Sequence, residues 1–418
     1  MKLSCGLSVF ASLAFLFTFN AGAQTGAGSP PQLTLGQIAK MPVIALPVRD
    51  FKLLSPNTGW VSTGNRLLFT TDNGAHWKDI SPPVPDPSNS NENRFGEVYF
   101  LDANTGWVIS TGNLQEGNPD SDETETVLSS TVDGGATWTA AILPRLKPLQ
   151  KVGGVNFAFA DKLHGWLIIQ HQSGPAFSFS SLYSTSDGGR TWQEAKGNPG
   201  FYGDIRAYPN GEIWVTGDPG ANDEGDEREL VASRDGGNSF QKVSFPAPAP
   251  VAGYEESYAL PVFTDGLNGY EEAVYTGGKG DKSAAVLFAT SDGGKTWQVD
   301  RMLSNLAESS VVERLFSTVA GDSWIHSFAA NGDLPTLVKL PPKSGTTDGA
   351  NRRLNNFSCE ISFASPDEGW ANCSGKLSST VDGGASWTGI APRARNGVLT
   401  TDPVTPSHTF PIRTKAIR

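Results

Sequence analysis

The sequence predicts an all-β chain, a seven-bladed β-propeller, and three observations carry that reading. An eight-residue pattern, Ser/Thr-x-Asp-x-Gly-x-x-aromatic, recurs six times in 418 residues. Seven segments place an aromatic residue in a second strand after a short polar turn, and the units so marked repeat at a similar length. Repetition of this kind sets the architecture before hydrophobic periodicity is weighed, because each unit buries its apolar face only against its neighbours.

The six copies run from Thr70 to Trp77, Thr131 to Trp138, Thr185 to Trp192, Ser233 to Phe240, Thr290 to Trp297 and Thr380 to Trp387. Each reads as a tight hairpin. The carboxylate accepts hydrogen bonds from the turn's own N–H groups, and the following glycine supplies a positive φ. Asp72, Asp133, Asp187, Asp235, Asp292 and Asp382 are therefore expected to be braces. A catalytic or calcium-binding role fits less well, since a reaction needs one site and the pattern occurs in nearly every unit.

Met1 to Ala23 reads as a signal peptide. Lys2 gives the positive start, Leu7 to Phe19 is a 13-residue apolar run, and Ala21-Gly22-Ala23 is a small-x-small cleavage site. Such a run is too short to cross a bilayer; the alternative is an uncleaved anchor. The mature chain is expected to be periplasmic or secreted, with no membrane span. Residues 24–44 read as a linker that opens rich in Gly, Ser and Pro, 45–391 as the propeller, and 392–418 as a polar, disordered tail. One terminus is an alternative source of a closing strand, with Val43 to Pro47 the better candidate.

The composition is 38% hydrophobic with 47 Gly and 28 Pro, that of a turn-rich globular chain. The formal charge is −11, becoming −12 once Lys2 is removed, which disfavours nucleic acid as a partner. Cleavage of the leader leaves two cysteines, Cys359 and Cys373. They flank a hairpin in which pairing Phe363 with Gly369 sets Cys359 opposite Cys373. An oxidising compartment permits a disulfide there, and so short a loop implies about 3 kcal/mol.

Opening turns end in Gly-aromatic at Trp60, Trp107, Trp166, Tyr270 and Trp370, while Trp214 and Trp324 fill the same slot without the glycine. Successive repeat aspartates lie 61, 54, 48, 57 and 90 residues apart. The last gap leaves room for one more unit, Val311 to Pro341, whose hairpin pattern has decayed. Seven units of about 49 residues match four-stranded blades, and ring closure removes exposed sheet edges. All eleven tryptophans fall in one of two slots, the repeat hairpin or the second strand.

The eight-residue pattern resembles the Asp-box, or bacterial neuraminidase repeat (BNR), of β-propellers. With Phe100-Leu101-Asp102 before Gly106-Trp107, and Phe159-Ala160-Asp161 before Gly165-Trp166, most of the mature chain resembles the photosystem II stability/assembly-factor-like family. That resemblance implies a seven-bladed propeller with its boxes in the outer hairpins. It also implies a protein or cofactor-bearing partner bound without chemistry or cofactor of the chain's own.

Function is accordingly expected on the face away from the boxes, where loops joining blades meet those between second and third strands. The aromatic-to-Asp spacing is 12 residues in the first unit and 26 in the second, and such variation on a fixed frame suits a binding surface. Two insertions are acidic: Glu116, Asp120, Asp122, Glu123 and Glu125, and then Asp218, Asp223, Glu224, Asp226, Glu227 and Glu229. Neither has the spacing of an EF-hand, so both read as solvated loops rather than metal sites. Arg49, Arg94, Arg206 and Arg314 stand near the starts of inner strands. Converging, they would make an anion site suited to carboxylates; dispersed, they are ordinary exposed arginines.

The alternative is a glycoside hydrolase of the sialidase type, acting on carbohydrate. Resemblance to sialidases implies three arginines on the substrate carboxylate and a Tyr/Glu nucleophile, for which Tyr254 and Glu255 are the candidates. The Arg-Ile-Pro signature expected ahead of the first box is absent, Pro47-Val48-Arg49-Asp50 being the nearest stretch. No Ser/His/Asp set, phosphate loop or histidine-based metal cluster appears in the sequence. The reading is a non-catalytic binding or assembly module.

Overall fold

A computed structural model describes residues 40–83, 95–111, 126–143, 151–174, 177–218, 228–277, 283–302, 311–317, 323–329, 336–339, 352–353, 360–365, 367–384, 386–395 and 398–400. The chain divides into Met1–Pro42, described only at 40–42, and Val43–Arg418.

The larger unit is all-β, built of antiparallel sheets consistent with a β-propeller. The first sheet comprises Asp50–Ser55, Thr58–Ser62, Leu67–Thr70 and Lys78–Asp79; the second, Phe95–Phe100, Gly106–Thr111, Thr126–Thr131 and Thr139–Ile142. The third comprises Lys151–Phe159, Gly165–Gly174, Phe177–Thr185 and Gln193–Glu194; the fourth, Gly203–Ala207, Ile213–Gly217, Glu229–Ser233 and Gln241–Lys242. In the fifth, Glu255–Tyr258 and the short Val262–Phe263 both pair with Gly269–Thr276, followed by Ser283–Thr290 and Gln298–Met302. The sixth is Val311–Ser317, Ser323–Ala329, Thr336–Lys339 and Arg352–Arg353; the seventh, Glu360–Phe363, Gly369–Cys373, Lys376–Thr380 and Thr388–Gly389.

Why Phe, a polar turn and Gly-aromatic recur is visible in the packing. Phe100, Phe159, Phe263 and Phe363 end their strands directly opposite Gly106, Gly165, Gly269 and Gly369. Each ring lies over its glycine so closely that an added Cβ would fall 2.5–2.6 Å from it. The glycine admits the ring, and the ring covers backbone that a glycine leaves bare.

The repeat hairpins share one hydrogen-bond pattern. In the seventh sheet the Thr380 hydroxyl donates to Asp382 Oδ1 at 2.8 Å and accepts from Gly384 N at 2.8 Å. Ser386 donates its N–H to Asp382 Oδ1 at 2.9 Å and its hydroxyl to Oδ2 at 2.6 Å. The same bonds recur around Asp133, Asp187, Asp235 and Asp292. Hydroxyl and then backbone donors four residues on pull Asp133 and Asp235 down to about 2. Asp382→Ala is expected to cost about 1 to 3 kcal/mol through these lost bonds. Unaltered thermal unfolding of that variant would remove the bracing role.

Neighbouring sheets meet through a repeated tryptophan contact. Trp107 Nε1 donates to Gly188 O and Trp166 Nε1 to Gly236 O, each reaching the hairpin of the next sheet. Trp370 of the seventh sheet donates to Asn73 Oδ1 of the first at 2.7 Å. In the other direction, Trp138 donates to Ile80 O and Trp77 to Ile390 O. The first and last sheets therefore repeat the contact made between the first and second. Asn73 alone among the described turns places a side chain where Gly134, Gly188, Gly236, Gly293 and Gly383 stand, and it adopts their positive φ.

The termini correct one expectation. Ile44–Ala45 pairs with Arg393–Arg395, which pairs in turn with Val398–Leu399, in a small sheet of its own. Ordered strand thus begins at 44, inside the expected linker, and extends past 391 into the expected disordered tail. Residues 401–418 lie outside the described residues. Among the described residues no helix is long and apolar enough to cross a membrane.

Candidate functional site

The first strands of the sheets lie against one another. Tyr99 donates to Phe159 O at 3.0 Å, Asn156 to Gly203 O at 3.0 Å, and Leu53 N to Ser362 Oγ at 3.3 Å. These bonds join the second sheet to the third, the third to the fourth and the first to the seventh. Within a strand, period-2 alternation sends one set of side chains into the core and leaves the other set polar. Phe51 and Leu53 are buried whereas Asp50 and Lys52 reach solvent; Val98 is buried whereas Glu97 is exposed.

The polar set meets across the sheets. Glu97 is pushed up to about 7 by burial first, then by Asp50 and Asp204. Asp50 rises to about 6 by burial, opposed by the Phe51 N–H, with Glu360 raising it further and Lys52 lowering it. Lys52 is held below the ordinary lysine range by burial and by the Arg206 guanidinium, with Asp50 opposing. Carboxyls from the first, second, fourth and seventh sheets therefore share one field. They reach water yet have protein on most sides, as on the wall of an opening.

Direction along the strand locates this group. First-to-second-strand turns lie beside the repeat hairpins: Gly134 N donates to Asn104 O, Gly293 N to Leu267 O and Gly383 N to Asp367 O. Asp50, Glu97, Asp204 and Glu360 stand near the opposite ends of their strands. Lys52, Tyr99 and Arg206 lie two residues further along, toward the hairpins. Asp204 also takes an ion pair from Arg228 at 2.6 Å.

The arginines expected to converge are placed differently. Arg206 donates to Pro261 O at 2.7 Å beside Tyr208, which donates to the same oxygen at 2.7 Å. The cation whose field it shares is Lys52, and four carboxyls stand nearby, so an anion site made of arginines is not what the described residues form. Arg49 is exposed. Arg94 and the side chain of Arg314 lie outside what the structure describes.

Tyr254 is half-buried against the core shared by the fourth and fifth sheets, and Glu255 is exposed opposite Thr276. The phenol–carboxyl hydrogen bond in this stretch joins Tyr258 to Glu256 instead. The two sit on one strand face, which Tyr254 and Glu255, as adjacent residues, cannot share.

The register Phe363↔Gly369 runs back to Glu360↔Asn372, one step short of Cys359 opposite Cys373. Cys359 lies outside the described residues, as do the acidic insertions except Asp218 and Glu229. Glu229 pairs with Lys242 across its sheet. Among the described residues, no three His, Cys, Asp or Glu side chains are arranged to hold a metal.

No protein-family model matches the chain. It is 26% identical over 164 residues to the photosystem II assembly lipoprotein Ycf48 of Synechococcus sp. (strain CC9902), a match covering 39% of this chain and 41% of that protein. The chain therefore spans about two fifths of the length of that relative. Among solved structures, YCF48 bound to D1 peptide aligns with a TM-score of 0.46 at 17% identity, over 81% of this chain and 96% of that one. An ancestral GH74 enzyme aligns at 0.47 with 10% identity, over 83% and 50%. Trypanosoma rangeli sialidase in complex with sialic acid aligns at 0.38 with 12% identity, over 83% and 70%.

Proposed function

We propose that this chain is an exported, seven-bladed β-propeller serving as a binding or assembly module. It takes a protein or cofactor-bearing partner on the face away from the repeat hairpins and performs no chemistry of its own. The observation that carries this reading is the meeting of Asp50, Glu97, Asp204 and Glu360 from four sheets at that end of the strands. Local similarity to a photosystem II assembly lipoprotein supports an assembly role. Carboxyl fields dominate the group, so the partner surface is expected to be rich in Lys or Arg. Arg49, Arg94, Arg206 and Arg314 are proposed as flanking contacts, and a Cys359–Cys373 disulfide as a clamp on the seventh sheet.

The titrations give the test a direction. Asp50 and Glu97 gain their charges as the pH rises through about 6 and about 7. Capture of a basic partner should therefore strengthen across that window. Stability of the free chain moves the other way. Carboxyls with raised folded values add stability that is full below their ordinary range and lost as the pH rises through about 6 and about 7. The immobilised chain should take a partner from the exported fraction at about pH 8 and release it at about pH 5. Glu97→Gln with Asp50→Asn should flatten that dependence. Capture that is indifferent both to pH and to these changes would discard the site.

A second reading rests on the same two carboxyls. A water-accessible acid held at about 7 beside another at about 6 has the character of a general acid in glycoside hydrolysis. Turnover of sialosides or other glycosides, lost in Glu97→Gln, would replace the binding module with a hydrolase of the sialidase type.

A further inference from the structure

Between the fourth and fifth sheets a carboxyl is sealed inside an apolar core. Glu271 is 0% exposed, and its own strand face carries Ala273 and Tyr275. Across the pairing, Glu256 lies opposite Tyr275 and Tyr258 opposite Ala273. The surrounding core consists of Trp214, Leu230, Ala232 and Val243 from the fourth sheet with Val286, Phe288 and Trp297 from the fifth. A lone ionised carboxylate in such a place costs several kcal/mol, so a group of this kind keeps its proton instead.

One backbone donor reaches a carboxyl that would need several to stay charged when buried. Ala259 N donates to Glu271 Oε1 at 3.2 Å, while Oε2 has no hydrogen-bond partner among the described residues. Tyr258 donates to Glu256, and the Tyr275 hydroxyl is fully buried. Burial comes first in pushing Glu271 well above the carboxylate range, followed by Glu272 on the other sheet face and by Glu256, with the Ala259 N–H opposing. Buried, and facing Glu256, Tyr258 and Tyr275 hold their protons more tightly as well. Ser283–Thr290 adds no charged residue. From the fourth sheet side, Arg228 gives its carbonyl to Tyr258 N, and Arg234 lies over Trp214 beside Glu212. Arg206 and Tyr208 are bound to Pro261 O.

We propose that Glu271 is a proton-operated latch between the fourth and fifth sheets. Neutral, it sits in the shared core and holds Ala259; ionised, it leaves the core and parts the sheets there. The latch is joined to the candidate site by two residues of chain. Ala259 donates its N–H both to the latch and to Glu272 O, and Pro261 receives Arg206 at its carbonyl, so opening the latch loosens the stretch that holds the Arg206 guanidinium. This inference stands independently of whether the site takes a partner.

The sign follows from the buried proton. Above the ordinary carboxyl range the unfolded chain gives up a proton that the folded chain keeps. Wild type should therefore lose stability relative to Glu271→Gln as the pH rises, its unfolding constant growing by up to about tenfold per pH unit until Glu271 ionises. Unfolding would be followed from about pH 5 to about pH 9 in both proteins, with Trp214 and Trp297 emission reporting on the seam. Wild-type emission should shift to the red at the alkaline end while the variant holds. Equal pH slopes in the two proteins would overturn the latch. If Glu271→Gln does not fold, the infrared carbonyl stretch of wild type decides. A protonated-carboxyl band still present at about pH 8.5, beyond Asp50 and Glu97, supports the latch, and its absence there rejects it.

Discussion

Trp370→Ala is expected to lower stability by about 3 to 5 kcal/mol, a large share of the roughly 5 to 15 kcal/mol that holds most domains together. Trp370 is completely buried, its ring centroid lies 5.8 Å from that of Trp77, and its Nε1 donates to Asn73. Its ring also occupies the space an added Cβ on Gly59 would take, 2.7 Å away. All these partners belong to the first sheet. Other neighbouring sheets are tied by the chain that runs from one into the next, whereas the first and seventh are held side by side by such contacts and by the Ile44–Ala45 pairing with Arg393–Arg395. Denaturant unfolding with limited proteolysis measures the effect, and cleavage should appear first near those two strands. Trp370→Phe keeps one six-membered ring but loses the bond to Asn73 and leaves a small void, so about 1 to 2 kcal/mol is expected. A Trp370→Ala protein as stable as wild type would mean that this seam contributes nothing.

The repeat aspartates could be read from sequence because their bonds are local. A hydroxyl at one position, a carboxylate two residues on and donors four residues on close a turn without reference to the rest of the molecule. The pairing of Phe363 with Gly369 was legible for a similar reason, since a short polar turn sets the register of its own hairpin. The end of the chain was not: Arg393-Ala394-Arg395 has no strand pattern of its own, and its order comes from Ile44 and Ala45, some 350 residues away.

The candidate site needed tertiary placement. Lys52 and Asp50 read as the exposed face of an ordinary strand, and only packing of the first sheet near the fourth and seventh sets them beside Arg206 and Glu360. Tyr254 and Glu255 adjoin in sequence, which does not place two side chains on one face of a strand. Period-2 alternation contained the better signal, pointing to Glu256 and Tyr258 as neighbours on one face. Glu271 carried no signal at all, because a Tyr-Glu-Glu-Ala stretch in a strand does not say which glutamate the next sheet will cover.

Phe159→Ala should be the other severe substitution, costing about 3 to 5 kcal/mol. Phe159 is 1% exposed, stacks on Trp107 with ring centroids 3.7 Å apart and covers Gly165. Gly165→Ala, which sets a methyl 2.5 Å from that ring, should cost about 1 to 3 kcal/mol by overpacking. The two effects are not independent. With the ring removed, the methyl introduced by Gly165→Ala fills part of the space Phe159 vacates, so the double variant should be more stable than the sum of the single losses predicts, by about 1 kcal/mol or more. Equilibrium unfolding of the four proteins in the cycle measures this coupling directly. Strict additivity would show that ring and glycine are not a unit, and the recurrence of Phe opposite Gly in four sheets would then need an explanation other than mutual packing.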